Sequence, residues 1–176
     1  FVAGSTPSTN FGGLKYLLNK PTTSASVERI GYLGFDLTPI MGREVRSAVL
    51  TVPAFIRSSE KGSTARIDLH PVSGTWSESA VTYSNRPKSG ATVASLLATK
   101  TEQAQSSNLT KSLQSLVSSQ TKAVSYALSQ DNVGAAGSLV EMTSRESGRG
   151  AFIEVVLAPA TADSVPPSRL GSVAVS

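Results

Sequence analysis

His70 is the only histidine in 176 residues, and cysteine is absent. Those two facts close off much of enzyme chemistry. Disulfide scaffolds, Cys-ligated zinc or iron–sulfur centres, cysteine nucleophiles, three-histidine metal sites and the HExxH arrangement are all excluded. His70 ends the run Ala65-Arg-Ile-Asp-Leu-His70, which reads as a strand with Arg66, Asp68 and His70 on one face and Ile67 and Leu69 on the other. This predicts a partly exposed surface histidine rather than a general base. Ser-x-x-Lys occurs at Ser58 to Lys61 and at Ser119 to Lys122, but without its usual companion motifs. In a chain with 45 serines and threonines that spacing arises by chance. No Gly-x-Ser-x-Gly elbow, dinucleotide fingerprint or phosphate loop is present. A glycosidase needs two carboxylates facing each other across a cleft. Glu78, two residues after Trp76, is the most suggestive acid, because apolar burial raises a carboxylate's pKa. A hydrogen-bonding role in a turn is the better expectation for it. The chain is therefore read as a non-enzyme.

The elements that would position any site are strands. Apolar residues alternate with period two in Arg29 to Leu37 and in Arg46 to Ala54, joined by Thr38-Pro39-Ile40-Met41-Gly42. Leu14 to Leu18, Ala65 to Val72, Val93 to Ala98, Ala123 to Gln130, Leu139 to Thr143 and Ala151 to Leu157 read the same way. With the opening segment this makes about nine strands, enough for two packed sheets. Leu109, Leu113, Leu116 and Val117 instead follow helical spacing, with Thr110 as the expected N-cap. Asn108-Leu-Thr110 is also a formal glycosylation sequon, better read as a helix-capping segment. Residues 159–176 read as a linker or an extra C-terminal strand. Because Phe1-Val2-Ala3 resembles the middle of a strand, the sequence is expected to follow a removed signal peptide or to be cut from a larger chain.

Charged residues make up only 16% of the chain, and the formal net charge is +4. Residues 1–88 hold ten basic and six acidic side chains and residues 89–176 hold six of each, so the whole excess lies in the first half. Residues 1–27 contain Lys15 and Lys20 and no acid. An anionic partner would be steered there. The cations are scattered singly and the aromatics fall at core positions, which argues against nucleic acid. No run approaches the roughly 18 apolar residues of a membrane span.

Three stretches together carry a resemblance. They are Phe1-Val-Ala-Gly-Ser-Thr-Pro-Ser-Thr-Asn-Phe-Gly12; Arg29-Ile-Gly-Tyr-Leu-Gly-Phe-Asp-Leu37 followed by Val45-Arg-Ser-Ala-Val-Leu50; and Val72-Ser-Gly-Thr-Trp-Ser-Glu-Ser-Ala-Val-Thr-Tyr-Ser-Asn-Arg-Pro87. They resemble the DNRLRE, or disaggregatase-related, domain, a group that includes carbohydrate-binding module family 96. Met142-Thr-Ser-Arg-Glu146 and the strand after it are similar to that group's Ser-Arg-Glu turn and closing strand. The resemblance spans residues 1–158; Lys100 to Thr110 departs from it, being polar where the group often has an aromatic strand. It implies an all-β, jelly-roll-like antiparallel β-sandwich on a secreted or cell-surface protein, without catalysis and often appended to enzymes acting on polysaccharides. Its alginate-binding members imply an acidic polysaccharide as partner. Such sandwiches often carry a structural calcium ion. Asp36 and Asp131 form no EF-hand-like loop, so the metal is left open and no other cofactor is expected.

A polyuronate carries one carboxylate per sugar, which lysine or arginine can pair while a tyrosine covers a ring. Lys15, Tyr16, Lys20, Arg29 and Tyr32 are the candidate binding residues. Lys15 and Tyr16 are neighbours and point to opposite faces of their strand. Arg86 and Arg145 are expected to hydrogen-bond within their own turns, and Trp76 to sit in the core near the sandwich end. The competing expectation is a structural or adhesive subunit of a surface assembly or extracellular filament. It would be held by strand addition between neighbouring domains or identical subunits, with Val173 and Val175 in the added strand.

Overall fold

The structure, a computed structural model, describes residues 1–21, 26–130 and 137–159. Asp131, and the expected linker or strand beyond Pro159, lie outside the described residues. Among the described residues the elements run β1 (Val2–Ala3), β2 (Tyr16–Asn19), β3 (Arg29–Asp36), β4 (Val45–Ile56), β5 (Thr64–Pro71), β6 (Ala94–Thr99), β7 (Gln103–Asn108), α1 (Thr110–Ser118), β8 (Ala123–Ser129), β9 (Val140–Thr143) and β10 (Phe152–Leu157).

Period-two alternation gives each strand one apolar face, and two sheets bury those faces against each other. One sheet has the order β1-β3-β8-β5-β6, and every neighbouring pair is antiparallel. In the other, β4 carries β7 along one edge and β10 followed by β9 along the opposite edge, with β2 outside β9. Ala48, Leu50, Val52, Ala54 and Ile56 of β4 meet Ile67, Leu69, Leu96, Tyr126 and Leu128 in the main core. Each fully buried aliphatic side chain of this kind contributes about 1.5–3 kcal/mol. The all-β sandwich expected from the sequence is the observed fold, with one strand more than counted. That strand, β7, reads Gln-Ala-Gln-Ser-Ser-Asn and has no apolar alternation; its backbone pairing with β4 makes it a strand.

The helix falls where the spacing places it, burying Leu113 and Val117 behind a buried Leu109. Its capping differs from the expectation. Thr110 is the first helical residue, and its Oγ1 accepts the N–H of Ala48 at 3.0 Å, tying the helix to β4. Asn108 Oδ1 accepts the N–H of Thr110 instead. No helix among the described residues is long and apolar enough to cross a membrane.

Two departures from regular pairing build the surface that matters below. Met142 pairs with Ala54 and Phe152 with Thr51, so β9 and β10 form one strand along β4, interrupted by an excursion from Thr143 to Ala151. Pro53, which has no N–H to give a ladder, falls in the interruption. The second departure is the segment from Val72 to Val93, which lies over the outer face of the β1-containing sheet. There Val81, Val72, Trp76 and Tyr83 pack on Val2, Ile30, Tyr32 and Ala127 in a small core of their own.

Asn10 fastens this segment down. Its Nδ2 donates to the carbonyls of Glu78 at 2.8 Å and Val81 at 2.7 Å, while its Oδ1 accepts the N–H of Gly12 at 3.0 Å. Gly12 is required beside it, because a Cβ there would lie 2.3 Å from the Glu78 carbonyl oxygen. The Tyr83 hydroxyl adds a bond to Glu28 at 2.5 Å.

Candidate functional site

Strand β3 points Ile30 and Tyr32 outward, and β8 points Ala127 and Ser129 the same way, so the covering segment leaves concave spaces at its borders. One is a cleft of about 440 Å³ between this sheet and Ser84–Ser89. It is lined by Tyr32, His70, Ser129, Arg86 and Lys88, and by no carboxylate among the described residues. Arg86 and Lys88 are exposed. The Arg86 guanidinium stacks 3.7 Å from the centre of the Tyr83 ring and donates to the Tyr83 carbonyl at 2.6 Å, which fixes its direction. Tyr32 is 7% exposed, and burial above all pushes its phenol pKa up to about 12.

His70 borders the same cleft, and here the surface reading is corrected: the side chain is only 7% exposed. Its Nδ1 lies 3.0 Å from the Gly90 carbonyl and its Nε2 3.0 Å from Ser129 Oγ. A carbonyl only accepts, so in the neutral ring Nδ1 carries the proton and Nε2 accepts from the serine. The covering segment, through Gly90, removes His70 from water, while Arg66 on the same face stays exposed. Asp68, on the same face, is buried beneath Arg66 Nε and Ser95 Oγ, each 2.7 Å away.

A second concavity lies on the other side of Tyr32. Two cavities, of about 730 and 530 Å³, share Gly34, Phe35, Trp76 and Glu78 in their walls. Trp76 is half-buried, 5.5 Å from Tyr32 between ring centres and tilted by 52°. The expectation of a core tryptophan is thereby corrected: it belongs to the outer cluster, because its segment lies over the sheet rather than between the sheets. The excursion from Thr143 to Ala151 forms the far wall with Arg145 and Glu146. Arg145 Nη2 is 2.5 Å from Glu78 Oε2 and 3.3 Å from Glu146 Oε1. The Asp36 carboxylate is held below its usual range by the side-chain and backbone hydrogen bonds from Thr38. Among the described residues, no three acidic or histidine side chains converge as metal ligands would.

The five candidates from the sequence are only partly brought together. Lys20 and Arg29 exchange both backbone hydrogen bonds at the β2–β3 corner, where buried Asn19 donates to the Leu128 carbonyl at 2.6 Å. Lys20 Nζ lies 3.0 Å from Glu60 Oε1, and Arg29 Nη1 donates to the Val27 carbonyl at 2.6 Å. Lys15 is exposed at the other end of β2. Tyr16 packs near Phe1 at 6.3 Å and lies under the Arg57 guanidinium at 5.7 Å. Tyr32 alone borders the two clefts. Arg86 does bond within its turn as expected, but the same turn presents it and Lys88 to the cleft. The Arg86-Pro87-Lys88 spacing was the available sequence signal, two cations within three residues after the tryptophan block.

Comparison with known proteins adds one match: the family model of carbohydrate-binding module family 96 covers residues 1–157. No curated protein matches the chain.

Proposed function

We propose that this chain, which belongs to carbohydrate-binding module family 96 and is a non-catalytic carbohydrate-binding domain, takes an acidic polysaccharide such as alginate as its ligand, on a secreted or cell-surface protein. The observation that carries the proposal is the cleft at Ser84–Ser89, where Arg86 and Lys88 stand with Tyr32 and the lining holds no carboxylate among the described residues. Guanidinium and ammonium groups there pair with successive carboxylates of a polyuronate, while the segment beneath them is already ordered by Asn10 and Tyr83. Lys15 and Arg29 serve as outlying cations, and Tyr16, packed near Phe1 and under Arg57, contributes little. Lys20 contributes least, because its ammonium is already paired with Glu60. Calorimetry with polymannuronate tests this. Affinity is expected to fall about tenfold or more in the Arg86→Ala, Lys88→Ala double variant, and to weaken between about 50 and 500 mM NaCl. Unchanged affinity in that variant would refute the reading.

One observation favours a second role, as a subunit joined by strand addition. Strand β10 pairs only with β4 among the described residues, and it exposes Phe152 and Val156, each 52% accessible. Such an edge templates pairing. Sedimentation of the chain with and without residues 159–176 tests it: a strand-exchanged assembly dissociates on truncation, and a monomer throughout removes this role.

A further inference from the structure

The groove beside Trp76 has a composition that an acidic polymer does not explain. Three carboxylates, Asp36, Glu78 and Glu146, stand in its walls against Lys122 and Arg145. Arg145 is engaged by two of those carboxylates, so it has no unpaired charge to offer a ligand. A polyuronate entering here would meet acids at close range, and like charge at short distance is unfavourable. A ligand rich in hydroxyl donors and lacking charge meets the opposite situation. The carboxylates accept its O–H groups, and the indole of Trp76 offers an apolar surface for the C–H face of a sugar ring. Gly34 keeps the space open. A Cβ there would meet the Trp76 Cζ2 atom at 3.6 Å, so alanine fits and a larger side chain would intrude on the groove. The two joined cavities, about 730 and 530 Å³, fall in the size range of small-molecule sites.

We infer that the Trp76 groove is a second glycan site, which binds uncharged pyranose residues and discriminates against uronates. The inference rests on the carbohydrate-binding class of the chain and not on the acidic ligand proposed for the Arg86 cleft. Together the two sites let one domain hold an acidic polymer on one side of Tyr32 and a neutral one on the other.

Trp76 is the sole tryptophan of the chain, so tryptophan emission reports on the surroundings of this one wall residue of the groove. The test titrates the intact chain with three neutral hexasaccharides, cellohexaose, laminarihexaose and mannohexaose, and with hexamannuronate, following both emission and heat. At least one neutral sugar is expected to change the Trp76 emission, with an affinity that differs less than about twofold between about 50 and 500 mM NaCl. Gly34→Val is expected to weaken that binding about tenfold while leaving hexamannuronate heats unchanged, and Trp76→Phe to weaken it several-fold by calorimetry. Silence with all three neutral sugars overturns the inference. So does a salt-sensitive emission change caused by hexamannuronate that persists in the Arg86→Ala, Lys88→Ala variant, or full binding by Gly34→Val. Loss of hexamannuronate binding in Arg86→Ala is a separate readout, so either site can fail alone.

Discussion

The two clefts share Tyr32 and one covering segment, yet their linings carry opposite charge. Among the described residues, Arg86 and Lys88 on the Ser84–Ser89 side stand without a lining acid, and on the Trp76 side Asp36, Glu78 and Glu146 outnumber Lys122 and Arg145. The Ser84–Ser89 cleft rests on outward residues of β3, β5 and β8, whereas the Trp76 groove also reaches Leu17 of β2, Leu33 and Phe35 of β3, and Ser112 and Leu116 of α1. Arg86, Lys88 and Glu78 come from the segment from Val72 to Val93, and Arg145 and Glu146 from the excursion from Thr143 to Ala151, while Asp36 at the end of β3 and Lys122 before β8 complete the Trp76 side. The segment and the excursion are both irregular, so sequence there can change without disturbing a ladder.

Because Asn10 anchors the segment common to both clefts, its removal is the most damaging way to break the comparison. Asn10→Ala loses three hydrogen bonds and is expected to cost about 3 kcal/mol in chemical denaturation. It should also weaken both sugar sites together; damage to only one would show that the clefts are held independently.

Tyr32, the shared wall, comes next. Below pH 10 the folded and unfolded chains both hold its phenolic proton. Above it only the unfolded chain releases the proton, until the folded pKa of about 12 is reached. With fewer protons bound in the unfolded state, stability falls as pH rises, by roughly 3 kcal/mol across that window. Melting temperatures of the wild type and Tyr32→Phe between pH 9 and 12 should diverge, the variant losing less; parallel curves would contradict the burial of the hydroxyl.

Arg86→Ala sharpens the contrast between the clefts. It should reduce polymannuronate affinity about tenfold, or about 1.4 kcal/mol, and leave neutral-sugar binding intact. The smallest effect is expected of Lys20→Gln. Its ammonium already pairs with Glu60 at the surface, so polymannuronate affinity should change by less than about 0.5 kcal/mol. A large loss there would move the acidic site to the β2–β3 corner.

How far the sequence could be read differs between core and rim. Alternation along β3, β4, β5 and β8 marks their buried faces directly, since each apolar residue reports its own side of the sheet. Strand β7 was hidden because it contributes backbone pairing to β4 rather than apolar area. His70 was misplaced for a related reason: its strand face reads as polar and solvent-facing, but the Gly90 carbonyl, 20 residues on, and Ser129 close over its ring. Arg86 and Lys88 were visible as residues and not as a site, because a turn's own hydrogen bonds account for an arginine equally well.

The sequence by itself determined the sandwich, the inserted helix, the absence of cysteine and multi-histidine chemistry, and a positive balance confined to the first half of the chain. These are local or additive properties: period, spacing and count survive without knowing what lies nearby. Tertiary structure alone decided which of the candidate cations are engaged by neighbours, that His70 is buried, and that Trp76 stands at a groove instead of between the sheets. Those depend on contacts such as Asn10 with Glu78, 68 residues apart, and no one-dimensional pattern records a meeting at that separation.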